Sequence, residues 1–251
     1  YMSTGVAPSP LAQQARRRYA EHLIAGLPGV ISAVVETARA LQDKPSIPAI
    51  ALMRRDLAKA LGQSGGAWAQ SVTDGIRRFA APGASATRLS ELSGTGGAAL
   101  SLVDDDTIER EILTSRLALA VMDRASWEFS DLRSRISSLE RRSELDTHDM
   151  LRAHVLARVV LDGWRAAGLN QEGWRELQSV LHDEFAHLVE EAYHETNRWL
   201  ISQKVLPEVD LRPFIRRSRG GGGGGMTSTG GGAHIADGQT SGAYSESARG
   251  H

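Results

Sequence analysis

Apolar residues that return every third or fourth position dominate this chain, and between Asp106 and about Arg142 they do so over the longest stretch: Ile108, Ile112, Leu119, Met122, Phe129 and Ile136. That spacing puts the side chains on one face of a helix. Asp106 can cap Thr107, with Glu109 placed to complete a capping-box-like pair. A helix of this extent is about 54 Å long at 1.5 Å per residue, beyond the globular norm and suited to a long bundle helix or a coiled-coil-like seam. Ser115 and Ser126 at core-phase positions favour the bundle.

The same period recurs on both sides of this element. Pro10 precedes a segment Leu11–Leu27, Pro28 opens a second to about Leu41, and Lys44-Pro45-Ser46-Ile47-Pro48 breaks the chain before a third that ends near Leu61. Each proline sits where a first helical turn tolerates it. A fourth segment, Ala67–Ala80, follows Gly65-Gly66. Further on, Asp146 or Thr147 caps a helix through Ala167, whose apolar residues cover a wide arc, and Gly168 is a left-handed C-terminal cap. Asn170 caps the last helix, with Leu169 and Trp174 at the spacing of a hydrophobic staple. The short turn at Gly168 makes this pair a helical hairpin. Aromatic residues make up only 5% of the chain, so the core is built mainly from Leu, Ile, Val and Ala, which suits helices. The expectation is an all-α multi-helix bundle with one long central helix and a C-terminal helical hairpin.

Two stretches break the pattern. Residues 81–99, with Pro82, Gly83, Gly94, Gly96 and Gly97, read as a flexible linker between an N-terminal helical segment, 1–80, and a helical bundle, 100–218. Ser93-Gly94-Thr95-Gly96-Gly97 follows no strand and lacks the Lys-Ser/Thr of a phosphate loop. From 219 to 251 the chain is Gly/Ser-rich and of low complexity, holding 12 of its 26 glycines. Such a segment cannot bury enough surface to offset its ordering entropy, so it reads as a disordered tail or linker.

Charge and composition exclude several classes of function. Lys and Arg number 29 against 30 Asp and Glu, so no global field draws the chain to nucleic acid. The absence of cysteine removes thiolate catalysis, disulfides and Cys-ligated metal. Apolar runs such as Gly29–Val35 and Val155–Leu161 fall short of a membrane span, and no secretory signal opens the chain, so no membrane partner and a cytoplasmic location are expected. No serine-triad elbow, His-Glu-x-x-His or dinucleotide fingerprint occurs, which argues against an enzyme and implies no cofactor.

Two constellations could still hold a ligand. Glu184-x-x-His187 and Glu191-x-x-His194 have metal-ligand spacing, but both pairs lie on one helix and stack along it instead of converging as in di-iron bundles. A solvated Glu/His face is the plainer reading. His154 could face the same groove or be a buried, satisfied imidazole. The triplet Asp104-Asp105-Asp106 fits a helix N-terminus as well as it fits a hard cation. Arg212, Arg216, Arg217 and Arg219 form a basic cluster suited to phosphate, and through it to a nucleotide or nucleic acid. Arg212-x-x-x-Arg216 also matches the arginine pair of PilZ-type receptors, though polyglycine stands where their next motif belongs.

The run from Glu191 through Tyr193, Asn197 and Leu200 into Val205-Leu206-Pro207, with its Arg-rich exit, resembles the bacterial family called domain of unknown function 1631 (DUF1631). Leu100-Ser101-Leu102-Val103-Asp104-Asp105-Asp106 and Ser115-Arg116-Leu117-Ala118 resemble that family's central signature. The resemblance covers about residues 100 to 217. It implies a large cytoplasmic helical protein of which this chain is the N-terminal part, and it carries over no catalytic residue. The resulting expectation is a non-enzymatic interaction or regulatory module with a protein partner or self-association; the alternative is a metal- or phosphate-ligand-binding helical domain.

Overall fold

A computed structural model describes residues 9–81 and 105–206. Six helices occur in it, and no strand is found among the described residues: α1 (Pro10–Gln42), α2 (Pro48–Ala80), α3 (Asp105–Glu140), α4 (Ala153–Ala166), α5 (Gln171–Glu176) and α6 (Gln178–Ser202). α1 lies along α2 and α6, α3 along α6 and α4, and α2 along α4. One hydrophobic core unites them, running from Ala12 on α1 to Val205 beyond α6. The N-terminal helices thus share a core with the helices that follow residue 100. Residues 82–104 and 207–251, which include nearly all of the expected linker, the whole of the tail and the Arg212–Arg219 cluster, lie outside the described residues.

Two of the expected breaks are bridged. Pro28 stands inside α1, because the buried row Leu23, Leu27, Val30, Val34 and Ala38 keeps its phase through it. Burial of that row outweighs the lost hydrogen bond and ring clash, a cost of about 3 kcal/mol. Gly65-Gly66 likewise falls inside α2, with Gly65 in the buried row of Leu61, Trp68, Val72 and Ile76. Contrary to the expectation from its short apolar runs, α1 is long and apolar enough, by length and composition alone, to cross a membrane, with a window of mean hydropathy 1.4. Its buried row faces the core.

Where α2 meets α4 the packing depends on absent side chains. A Cβ at Gly75 would lie 2.5 Å from Val159 Cγ1, and one at Gly163 would lie 2.9 Å from Val72 Cγ2. Each helix offers a glycine to the other's valine, so the backbones approach closely.

The hairpin begins later than expected. Residues 141–152 form turns and α4 starts at Ala153, not at Asp146 or Thr147. The reason is local competition for backbone groups. Asp146 Oδ1 accepts from His148 N at 2.8 Å, Asp149 Oδ1 accepts from Leu151 N at 2.9 Å, and the Arg152 guanidinium donates to the carbonyls of Leu145 and Asp146. The turn after α4 follows expectation: Gly168 has φ +76°, and Leu169 N donates to Trp164 O at 3.2 Å. Asn170 caps α5 through Gly173 N at 2.8 Å, and Leu169 and Trp174 are both buried. The single last helix is divided at Leu177 into α5 and α6.

α3 carries the largest correction. Its buried row is Leu113, Leu117, Val121, Ala125, Leu132 and Ile136, whereas Ile108, Ile112 and Leu119 are 48%, 46% and 62% exposed. The expected stripe repeats every 3.5 residues while the helix turns every 3.6, so it drifts by about 20° per heptad and rotates by roughly 80° between Ile108 and Ile136. Met122, Phe129 and Ile136 reach the core. The first half of the stripe faces outward, nearly opposite Leu113 and Leu117.

Candidate functional site

Two surfaces concern function: the face of α6 that bears the Glu/His pairs, and the outer row of α3. On α6, His187 and His194 are both exposed, and each is engaged by a different neighbour. His187 Nδ1 lies 3.2 Å from an Arg124 Nη2 donor on α3, and its Nε2 lies 3.3 Å from Glu191 Oε1. Arg124 also holds Glu190 through an Nε–H bond of 2.5 Å. His194 Nδ1 instead meets Glu128 Oε1 at 2.8 Å. Among the described residues no three His, Asp or Glu side chains gather as a metal shell would require. Glu184, His187, Glu191 and His194 are therefore spread along the helix, as their shared element dictates.

Glu128 belongs to a chain of polar contacts that sequence reading did not single out. Its Oε2 and its carbonyl accept from Asn197 Nδ2 at 2.8 and 2.9 Å. Asn197 Oδ1 accepts from Arg135 Nη1 at 2.8 Å, and Arg135 Nε donates to the Leu206 carbonyl at 3.2 Å. Arg135 and Asn197 are buried between α3 and α6, where an unpaired charge or amide would be costly; every link is made, and the Val205–Leu206 exit is pinned to the bundle. The signal was Asn197 itself, a polar residue one turn after Tyr193 and three positions before Leu200, both of them buried.

Between α1 and α6 two open clefts adjoin, of about 450 and 430 Å³, sharing His22 and Glu195. The second is lined by His22, Glu128, Glu190, Glu191, His194 and Glu195. Near the first, the Arg18 guanidinium sits 4.9 Å above the Trp199 ring, a cation–π contact that ties α1 to the end of α6.

His154 is exposed on α4, contrary to the buried reading. Partial burial lowers its pKa, with Arg152 adding to the effect; partial burial and Arg116 lower that of His182, against Asp183. Both folded values lie below the unfolded value of about 6.5. The unfolded chain then binds more protons in the window from 6.5 down through the folded pKa, so these two groups remove stability as the pH falls through it. A His154→Asn/His182→Asn double variant is expected to lose less stability than the parent between pH 7.5 and pH 5, read from urea midpoints at each pH. Equal losses in both proteins contradict the assignment.

The outer row of α3 is of different character. Ile108, Ile112, Ser115 and Leu119, flanked by Glu111 and Arg116, line a groove of about 450 Å³ whose walls are nearly all apolar. Trp127, 73% exposed, lies farther along the same helix. Asp105 and Asp106 lie in the first turn of this helix.

Residues 7–204 match the family model described as Protein of unknown function (DUF1631) N-terminal domain. The match takes in α1 and α2 as well as the helices that carried the resemblance. No curated protein and no solved structure matches the chain.

Proposed function

Starting from the fact that this chain belongs to the DUF1631 family through its N-terminal domain, we propose that it is a non-enzymatic helical interaction module of a larger bacterial cytoplasmic protein, and that it docks protein through the outer row of α3. The observation that carries this reading is the exposure of Ile108, Ile112 and Leu119 in heptad spacing, on a helix held rigid by the core along its opposite side. A repeat of that kind is the pattern a second helix packs against. Covering these half-exposed side chains contributes about 1 kcal/mol each.

A photo-crosslinking residue placed at Leu119 in the producing cell tests the reading. Protein adducts are expected at that position and not at Arg78, an exposed polar position on α2. No adduct at Leu119 contradicts it.

The alternative draws its support, as a metal-binding domain, from the cleft lined by Glu128, Glu191 and His194, whose carboxylates suit a cation; its phosphate form rests on Arg212, Arg216, Arg217 and Arg219, outside the described residues. A cation there has to displace the Glu128–His194 contact. Zinc or manganese is then expected to raise the melting temperature of the parent but not of a Glu191→Gln/His194→Asn variant.

A further inference from the structure

We propose that the occupant of the α3 groove is a second copy of this chain, with the two α3 helices antiparallel about a twofold axis that passes between the levels of Leu113 and Thr114. The inference rests on the interaction reading above and names its partner. Three observations converge on it.

The first is register. Ile108, Ile112, Ser115 and Leu119 follow one another at spacings of four, three and four, which is the alternation of core positions along a helix-pair seam. The row lies opposite the buried row, so a second helix can lie along it without disturbing the bundle.

The second is shape. Ser115 is the one small side chain in this row and opens a notch between Ile112 and Leu119. In the antiparallel arrangement Ile112 of each copy seats over Ser115 of the other, and Ile108 seats over Leu119. Large meets small and the notch is filled twice by symmetry, as an isologous contact requires. A parallel pair instead sets Ser115 against its own mate and leaves a void there, and voids forfeit the contacts that hold a seam together.

The third is charge. Arg116 is exposed on one flank of the row and has no carboxylate within ion-pair distance among the described residues. The antiparallel pairing brings it beside Glu109 of the second copy, because flanking positions of the same kind face each other across such a seam. Glu109 already contacts Arg175 within its own chain through one carboxylate oxygen, and a carboxylate accepts at both. The twofold axis makes two such contacts. The seam is short, so association is weak, and it belongs at the low end of interface size.

Sedimentation equilibrium of the whole chain over a range of concentrations tests the proposal, with circular dichroism melts showing that each variant is folded. The parent is expected to form a reversible dimer. Leu119→Glu abolishes it. Ser115→Leu separates the two orientations: it overfills the antiparallel seam and weakens the dimer by about tenfold, or about 1.4 kcal/mol, whereas it fills the void of a parallel one and tightens it. Ile112→Ser combined with Ser115→Leu exchanges knob and notch and restores dimerisation. A parent monomeric at every concentration, a dimer indifferent to Leu119→Glu, or a tighter Ser115→Leu dimer overturns the proposal.

The crosslink at Leu119 distinguishes this failure from failure of the broader reading. Adducts with a different protein and none with a second copy overturn self-pairing and leave the interaction module standing. No adduct of either kind removes both.

Discussion

Replacing Trp68 with alanine is expected to cost about 3 to 5 kcal/mol, the range for emptying a large aromatic site in a core. Trp68 is completely buried on α2 at the point where α4 and α6 meet it. Its ring stands edge-on to Trp164 at 5.0 Å and to Phe185 at 6.1 Å, and Trp164 in turn meets Trp174 edge-on at 5.2 Å. Its Nε1–H donates to the Val160 carbonyl at 3.2 Å. Alanine empties the site, whereas Trp68→Phe, which loses the same hydrogen bond to Val160, keeps most of the volume and is expected to cost markedly less. Urea denaturation followed by circular dichroism measures both. The loss is expected in one transition that includes α3 to α6, because the core is continuous; a Trp68→Ala variant that melts α1 and α2 alone contradicts a shared core.

Removing Asp149 is expected to be the other large loss, about 3 kcal/mol, in the range for stripping one partner from a buried ion pair. Asp149 lies in the turns before α4 and is buried. Arg16 of α1 reaches it with Nε and Nη2, the shortest contact being 2.6 Å, and reaches Glu140 at the end of α3 with Nη1 at 2.6 Å. Burial works against the charge on Arg16, yet its hydrogen bonds to Asp149 and Glu140 outweigh that and hold its pKa above the ordinary arginine value. Asp149→Ala leaves the guanidinium partly buried with one carboxylate and frees Leu151 N. Asp149→Asn keeps the shape and an acceptor, so it is expected to lose less. Close by, Tyr193 of α6 donates to the Leu151 carbonyl at 2.5 Å and stacks on Tyr19 at 5.2 Å. The turns before α4 are thereby anchored to α1, α3 and α6 together. An Asp149→Ala midpoint equal to that of the parent contradicts this anchor.

What could be read from the residues was what depends on near neighbours. Gly168, Asn170, Leu169 and Trp174 act within a few positions of one another, and the turn they form is the one expected. The all-α class followed from period and composition. Pro28 and Gly65-Gly66 misled for the converse reason: their local cost is real, but rows buried against α6, α2 and α4 decide the outcome. Asp146 was ambiguous, since the side chains that cap helices also form the turns that replace them. Arg16 and Asp149 are 133 residues apart, and no local pattern links them.

The site followed the same rule. Glu184, His187, Glu191 and His194 are where one helix must put them, and Arg124 and Glu128, the partners of His187 and His194, became visible only once α3 was laid beside α6. Most instructive is α3, where one set of apolar residues served two purposes. A repeat of 3.5 on a helix of 3.6 begins on the outer side and ends in the core. Read as one stripe, it hid a second surface.

That surface is tested most directly by comparing Leu117→Glu with Leu119→Glu, two positions on one helix that differ in the side they face. Leu117 is 1% exposed and Leu119 62%. Thermal melting is expected to show Leu117→Glu grossly destabilised and Leu119→Glu within about 0.5 kcal/mol of the parent, as for a surface substitution. Comparable destabilisation by both substitutions would contradict the account, because the outer row of α3 would then be covered by the chain's own residues and closed to any partner.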